Sequence, residues 1–380
     1  MISWPFERRL SEYFDWQLTI LVLLLCCLGL LVLSSAGYDP DTGQSFQMRR
    51  QAASMGLGFG AYVIGSFLTI PFCRRWGWLL FGVVCVMLIY LDYRGIVAGG
   101  ARRWLEIGGM SALRVQPSEF MKLAMILVLA RVFGAENAPR NDYTLPRLFV
   151  PGIIILIPAL LIAKQPDLGT ALCCMLIGGS MVLMAGVRFR TILVVTIFAI
   201  ALAVPAWHNF HDYQKQRVLT FLAPEKDPKG RGYHAIQSQI AVGSGALAGK
   251  GYRRGTQTQL RFLPEQTTDF IFSVLAEEWG FVGSAFVIAI YFLLMMHLLQ
   301  LVSRTNDHFG AFVIFGMFAL IFWQVFINIG MVIGVVPVVG ITLPLLSYGG
   351  SSVLTIMAGL GIVSGISRRR FIFATSKLRK

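Results

Sequence analysis

Long apolar segments recur along the whole chain, and this feature restricts the possible folds more than any other. Hydrophobic residues make up 56% of the sequence and charged residues only 14%, whereas soluble domains carry about 25% charged residues. The composition therefore excludes a soluble globular enzyme, a disordered regulator and a disulfide scaffold. Because lipid cannot satisfy backbone hydrogen bonds, an open chain crosses a bilayer as helices. We predict an all-α, polytopic membrane protein.

Ten of these segments are predicted to be transmembrane helices. Most hold about 16–26 residues, enough to cross a hydrocarbon core of about 30 Å at about 1.5 Å per residue. The predicted helices cover residues 16–36, 52–71, 77–92, 117–133, 148–163, 168–185, 191–207, 271–302, 309–334 and 345–366. The longest connection, residues 208–270, lies between helices 7 and 8. We treat residues 1–380 as a single integral membrane domain that contains this loop.

The distribution of Lys and Arg predicts the orientation of the chain. With the N-terminus inside, the inward-facing loops carry 16 of these residues and the short outward-facing loops carry 7. By the positive-inside rule, both termini are cytoplasmic and the 208–270 loop is extracytoplasmic. The net charge of +14 then lies in loops, where it faces lipid headgroups or anionic ligands. The basic tail at 368–370 is interpreted as a topological anchor, so no nucleic-acid partner is expected.

The unusual polar residues fall at the predicted outer face, where the even-numbered helices begin. In the fourth helix, Glu119 and Lys122 are three residues apart and so share one face, shortly after Gln116. An ionisable pair inside a membrane helix is costly unless the two charges compensate each other. Two interpretations stay open: a structural ion pair, or a pair that lines a substrate cavity.

Two further polar clusters stand at the starts of the sixth and tenth helices. Asp167 follows a Gln-Pro pair and is predicted to cap the sixth helix, which is mainly a structural role. Ser347 and Ser351 surround a Gly-Gly pair near the start of the tenth helix. These small residues fit a backbone that another group approaches closely, and they fit close helix packing equally well.

Asp269 is the last polar residue before an apolar run of about 32 residues, which as a helix is about 48 Å long. The first turns of that helix must project beyond the outer hydrocarbon boundary, or the helix must tilt strongly. Asp269, Glu277 and Glu278 are therefore expected near the outer interface. Partial burial of a carboxylate there raises its pKa and makes it a better base. The alternative role for Asp269 is another helix cap.

The electrostatic sign of this outer face is positive. The N-termini of helices carry partial positive charge, and arginines in the outward loops add full charges. Such a surface suits an anion, for example a pyrophosphate group close to the membrane. These charges fix the sign of the site, and several anions would satisfy it.

Several motifs in a fixed order resemble the SEDS family (shape, elongation, division and sporulation proteins), and the likeness extends over nearly the whole chain. It is strongest to the branch of the family that acts in cell elongation. One departure is Thr267, which stands where the family usually has His. The motifs are GARRWL at 100–105, QPSE at 116–119, QPDLGT at 165–170, DYQKQR at 212–217, GYHAIQS at 232–238, FLPE at 262–265, TDFIF at 268–272, NIGM at 328–331 and SYGGS at 347–351.

The resemblance implies a peptidoglycan glycosyltransferase that polymerises lipid II at the outer face of the cytoplasmic membrane. It also implies that the protein acts together with a class B penicillin-binding protein, which cross-links the strands, and with other proteins of the elongation complex. Membrane lipids would surround it. The essential loop aspartate of the family maps onto Asp269. The Glu and Lys of its fourth helix map onto Glu119 and Lys122.

The reaction inverts the donor sugar, so one base suffices, and Asp269 is the expected catalytic residue, either as that base or as the group that orients the acceptor hydroxyl. Cationic side chains stabilise the leaving pyrophosphate, optionally with a divalent cation (Mg²⁺ or Mn²⁺) for which no ligands are assigned. The expected substrate-binding residues are Glu119, Lys122, Arg103, Arg217, Lys250, Glu265, Ser347 and Ser351. The expected supporting residues are Asp167, Gln116 and Glu277.

Three alternative functions stay open at this point. A flippase for the same lipid-linked precursor requires polar groups along a path at membrane depth, whereas the polar clusters here crowd one face. A scaffold would only position the penicillin-binding protein. The third alternative is a member of the cell-division branch of the same family. Only the short N-terminal tail and small differences within the motifs favour the elongation branch.

Overall fold

The computed structural model describes residues 14–39, 45–98, 101–106, 114–135, 138, 143–209, 215, 219–221, 223, 227, 230–260, 262–263 and 265–377. It has twelve α-helices within these residues, which we number in chain order. They are α1 Trp16–Ala36, α2 Phe46–Phe67, α3 Ile70–Arg94, α4 Pro117–Phe133, α5 Phe149–Lys164, α6 Leu168–Met184, α7 Phe189–Asn209, α8 Arg231–Ser244, α9 Thr256–Gln259, α10 Ile271–Arg304, α11 His308–Val332 and α12 Gly350–Lys377.

A helix occupies each of the ten segments that the sequence predicts. Within the described residues, six stretches are long and apolar enough to cross a membrane: Trp16–Ala36, Ile70–Leu91, Leu145–Lys164, Ile271–Arg304, His308–Val332 and Gly350–Arg369. The helix-rich, multi-pass architecture is thus confirmed. The count of ten transmembrane passes and the side on which each loop lies stay predictions.

Several helix ends differ from the predicted ones because capping side chains set them. Ser45 accepts a hydrogen bond from the amide of Met48 at 3.2 Å, so α2 begins at Phe46 and not at 52. Thr69 caps α3 in the same way, and that helix begins earlier than predicted. The tenth predicted helix begins later, at Gly350, because the preceding residues form turns.

A small antiparallel sheet corrects the all-α prediction in one detail. Its strands β1 Ile96–Ala98, β2 Ala101–Glu106 and β3 Arg114–Val115 pair in the order β1-β2-β3. The sheet lies in the connection between α3 and α4, where a sequence with Val, Ile and Trp favours extended backbone. It places Arg103 on β2.

The helix α10 is interrupted at Gly280, where φ is 64° and ψ is −160°. The interruption frees backbone groups that the segment after α8 then satisfies. Amides 250 and 251 donate to carbonyls 277 and 278 at 3.0 and 2.9 Å, and amides 281 and 282 donate to carbonyls 246 and 247 at 2.9 and 3.1 Å. The sequence predicted one continuous helix, and hydropathy alone does not register such a break.

We expect Gly280→Ala to lower the midpoint temperature of unfolding in detergent by several degrees. A Cβ at this position would lie 2.3 Å from the backbone nitrogen of Gly249, and a positive φ disfavours any residue with a side chain. Gly82→Ala in α3 is the matched control, because a Cβ there meets nothing within 4 Å. Equal midpoints for the two variants would contradict the assigned break.

The core is centred on α4 and α11, which pack on each other, with α3 and α6 also against α4. The helices α10 and α1 pack together, and α12 packs along α2 at short range. Glycines make the last contact possible: a Cβ at Gly361 would lie 2.2 Å from the carbonyl oxygen of Tyr62, and one at Gly65 would lie 2.8 Å from that of Ala358. This is the small-residue packing typical of membrane helices.

Candidate functional site

Asp269 lies in the turn that leads into α10, and its carboxylate does not cap that helix. The helix N-cap is Phe270, which makes no side-chain cap. The turn closes on itself, because the amides of Thr268 and Phe270 both donate to the carbonyl of Glu265 at 3.2 Å. The hydroxyl of Thr268 also donates to the Glu265 carboxylate at 3.2 Å. The carboxylate of Asp269 is therefore not used to start α10.

The turn is tied to the segment that follows α11. The amide of Tyr348 donates to the carbonyl of Thr267 at 2.9 Å, and the side chain of Asn328 donates to the carbonyl of Asp269 at 2.8 Å. The Thr267 contact uses backbone atoms, so it does not depend on which side chain stands at 267. Asp269 itself is half-buried.

Burial, together with the charges of Glu265 and Asp167, raises the pKa of Asp269 from its usual 3.8 to about 6. The charge of Arg103 and the hydrogen bond from Thr268 act in the opposite direction and are included in that value. These four side chains are thus close enough to Asp269 to change its titration. A carboxylate with a pKa just below neutral is ionised at pH 7 and is a stronger base than an ordinary aspartate.

Arg103 connects the sheet to the loop before α6. Its guanidinium donates to the carbonyl of Gln165 at 3.4 Å and also to the carbonyl of Pro166. The side chain of Gln165 in turn donates to the carbonyl of Leu88 at 2.7 Å. Arg103 therefore holds the segment that carries Asp167, and its positive charge lies near Asp269.

Asp167 caps α6, as the sequence predicted. Its Oδ1 accepts from the amide of Thr170 at 3.3 Å, and its Oδ2 accepts from the hydroxyl of the same residue at 3.0 Å. The side chain of Gln116 donates to the same Oδ2 at 3.3 Å, and the amide of Gln116 donates to the hydroxyl of Ser351 at 3.0 Å. These bonds join the N-termini of α4, α6 and α12.

Glu119 and Lys122 form a buried ion pair with 2.8 Å between Nζ and Oε1. The lysine side chain is only 2% exposed. Among the described residues, the second carboxylate oxygen of Glu119 has no hydrogen-bond partner. The pair is therefore compensated in charge, but one acceptor remains free.

Lys250 and Glu277 form a separate cluster at the interruption of α10. The ammonium of Lys250 donates to Glu277 and to the hydroxyl of Thr256, both at 2.8 Å. The same carboxylate accepts from the amides of Gln257 and Thr258 at 2.9 and 3.2 Å. The carboxylate of Glu277 thus holds the loop of residues 250–258, and its supporting role in the site stays a prediction. The described contacts of Lys250 are internal, so its role in substrate binding stays a prediction.

Ser347 and Ser351 both contact neighbouring segments of the protein. The hydroxyl of Ser347 accepts from the amide of Leu343 at 2.8 Å, and that of Ser351 accepts from Gln116. This geometry fits the packing interpretation of the serines. Arg217 lies outside the described residues, so its place in the site stays a prediction.

Sequence reasoning assigned no role to three residues that shape the site. Asn328 donates to the carbonyl of Asp269, and Gly340 leaves space beside its carboxylate, because a Cβ there would lie 3.2 Å from Oδ2. The buried side chain of Gln51 bonds both the carbonyl of Ser347 at 2.9 Å and the amide of Gly349 at 3.0 Å. The available signal for Asn328 was an amide inside an otherwise apolar helix. Nothing in the local sequence marks Gly340.

In the part of the chain that the structure describes, no three His, Cys, Asp or Glu side chains are placed to hold a metal ion. A contribution from Mg²⁺ or Mn²⁺ stays a prediction, because Mg²⁺ commonly binds one or two carboxylates together with substrate phosphates.

Comparison with known proteins shows extensive similarity. Over residues 15–371 the chain matches the family of cell cycle proteins that comprises FtsW, RodA and SpoVE. It is 40% identical to peptidoglycan glycosyltransferase MrdB of Escherichia coli K12 over 361 residues, which cover 95% of both chains.

Two solved structures are similar over 94% of this chain and 98% of their own. A chain from a structure described as the coordination of polymerization and crosslinking by a peptidoglycan synthase complex is 34% identical, with a TM-score of 0.79. The rod shape determining protein RodA of Thermus thermophilus is 29% identical, with a TM-score of 0.69. The apolar helices and this similarity together identify a multi-pass membrane protein.

Proposed function

This chain belongs to the FtsW, RodA and SpoVE family, and on that premise we propose that it is a peptidoglycan glycosyltransferase that polymerises lipid II during cell elongation. The observation that carries the mechanism is the half-buried carboxylate of Asp269, whose pKa of about 6 suits a base at neutral pH. The site faces the outside of the cytoplasmic membrane, with ten passes and both termini inside. The distribution of Lys and Arg supports this orientation.

In the reaction, the 4-hydroxyl of an acceptor N-acetylglucosamine attacks the anomeric carbon of the donor muramyl sugar. The new C–O bond forms as the bond to the pyrophosphate breaks, and Asp269 takes the hydroxyl proton. Undecaprenyl pyrophosphate leaves with the bonding electrons. The positive charge of Arg103, near Asp269, stabilises the negative charge that grows on the leaving group.

The partner in this proposal is a class B penicillin-binding protein, which cross-links the strands that this chain makes. The support is that one similar structure comes from a complex that coordinates polymerization with crosslinking. The same proposal includes association with further proteins of the elongation complex.

The test uses purified protein and labelled lipid II, with and without the penicillin-binding protein. Polymer formed in detergent, where no two sides exist, supports the proposal and excludes flipping as the only activity. Binding without polymer, even with the partner present, overturns the proposal in favour of a scaffold. Adding EDTA, and then Mg²⁺ or Mn²⁺, measures whether a divalent cation contributes.

The rate of polymerisation should depend on pH in a specific way. Because burial raises the pKa of Asp269 to about 6, its basic form is lost as the pH falls through that value. We expect initial rates to be nearly constant from pH 8 to 7 and to fall about tenfold for each pH unit well below 6. A profile that is flat down to pH 5 would contradict Asp269 as the base.

A further inference from the structure

Asn328 is a buried amide on α11, and both of its side-chain hydrogens are used by other segments. The Nδ2 atom donates to the carbonyl of Asp269 at 2.8 Å and to the carbonyl of Ile341 at 2.7 Å. The first acceptor belongs to the turn before α10, and the second belongs to the segment between α11 and α12. One side chain therefore sets the separation of two backbone segments.

The direction of this amide is fixed by its acceptors. A reversed amide would place Oδ1 of Asn328 against two carbonyl oxygens, which repel it. In the observed direction, Oδ1 has no hydrogen-bond partner among the described residues, although the side chain is fully buried. A buried acceptor without a partner costs free energy, so packing alone does not explain an amide at 328.

The same segment after α11 also passes beside the carboxylate of Asp269. A Cβ at Gly340, where φ is 79°, would lie 3.2 Å from Oδ2 of Asp269. Ile341, the next residue, supplies the second acceptor of Asn328. Asn328 thus holds the backbone of Asp269, and it also holds the segment in which Gly340 leaves space beside the Asp269 carboxylate.

We propose that Asn328 is a positioning residue that aims the carboxylate of Asp269 at the acceptor hydroxyl. The amide does so by holding the carbonyls of Asp269 and Ile341 at a fixed separation. This inference rests on the proposed function, in which Asp269 is the base.

The test compares Asn328→Ala and Asn328→Asp with Gln324→Ala. Each full-length variant is assayed for lipid II polymerisation in the presence of the class B penicillin-binding protein, and the rate is divided by the amount of folded protein. Gln324 is the matched control, because it lies one helical turn earlier on α11 and is also a buried amide with an unpartnered oxygen. We expect kcat of Asn328→Ala to fall about 10- to 100-fold, with KM within about threefold of wild type. Asn328→Asp should fall further, since a carboxylate repels both carbonyls. Gln324→Ala should keep kcat within about threefold.

A pH profile separates positioning from general stability. Loosening the turn exposes Asp269 to water and so lowers its pKa. The fall of the polymerisation rate at acid pH should therefore occur at lower pH in Asn328→Ala than in wild type, and at an unchanged pH in Gln324→Ala. The positioning role would be overturned if Asn328→Ala lost activity at the same pH as wild type, or if its kcat equalled that of Gln324→Ala. If Asp269→Asn is inactive in that case, only this inference fails. An active Asp269→Asn would remove Asp269 as the base, which is the step of the proposed mechanism on which this inference rests, and absence of polymer from the wild-type protein would overturn the proposed function itself.

Discussion

Asp269→Asn is expected to reduce lipid II polymerisation by at least about 100-fold, because loss of a general base typically costs 10²- to 10⁴-fold. The substitution keeps the shape of the side chain and removes its ability to accept a proton. KM for lipid II should change little, since the carboxylate is expected to act on the acceptor hydroxyl. The measurement is the initial rate with labelled lipid II at pH 7.5, with the class B penicillin-binding protein present.

The fold of this variant should be at least as stable as wild type near neutral pH. The pKa of Asp269 is higher in the folded protein than its usual 3.8, so the folded state disfavours the charged form. The free energy of unfolding therefore decreases as the pH rises from about 4 to 6, where Asp269 becomes charged. Asparagine at this position carries no charge and so avoids this loss of stability. The expected result is an unchanged or higher unfolding midpoint at pH 7.5.

The control for this prediction is Asp307→Asn. Asp307 also precedes a helix, and it caps α11 by accepting from the amide of Gly310. Asparagine caps helices as well as aspartate does, so this variant should fold and polymerise normally. Equal activity of the two variants would remove Asp269 from the mechanism.

Hydropathy predicted the helical segments well. A long run of apolar side chains can lie in lipid only if its backbone polar groups are hydrogen-bonded within the segment, and a helix achieves this. Hydropathy could not predict the interruption of α10, since Gly280 is one glycine within an apolar run. Its positive φ is stabilised by backbone hydrogen bonds between α10 and residues 246–251, which a linear pattern does not display. The small sheet was missed for a similar reason, because its short strands are paired across a loop.

Within the site, the sequence identified Asp269 by its position before a long apolar run and by family resemblance. It did not identify Asn328 as a neighbour, because 59 residues separate the two along the chain. Lys250 was expected to bind the pyrophosphate because it is a cation, which stays a prediction, and its described ion pair with Glu277 was not foreseen. Residue type indicates which interaction is possible, but only the packing of distant segments decides the partner.

Breaking the buried ion pair of α4 should have the second largest effect, and a double variant should separate its two possible roles. Lys122→Met leaves the Glu119 carboxylate buried without its counter-charge, which typically costs about 3–5 kcal/mol. Glu119→Gln leaves the ammonium in the same position. Each single variant should therefore unfold at a clearly lower temperature and lose polymerisation. Arg74→Gln is the control, since its pair with Asp307 is exposed and such pairs contribute about 0–1 kcal/mol.

The double variant Glu119→Gln/Lys122→Met contains no buried charge at either position, so its unfolding midpoint should return to near that of wild type. Its polymerisation should nevertheless stay below about a tenth of wild type, equivalent to about 1.4 kcal/mol of lost transition-state stabilisation. The reason is that the double variant lacks the Lys122 ammonium, which is expected to stabilise the negative charge of the leaving pyrophosphate. Stability and polymerisation measured on the same preparation decide the matter: recovery of both would make the pair purely structural.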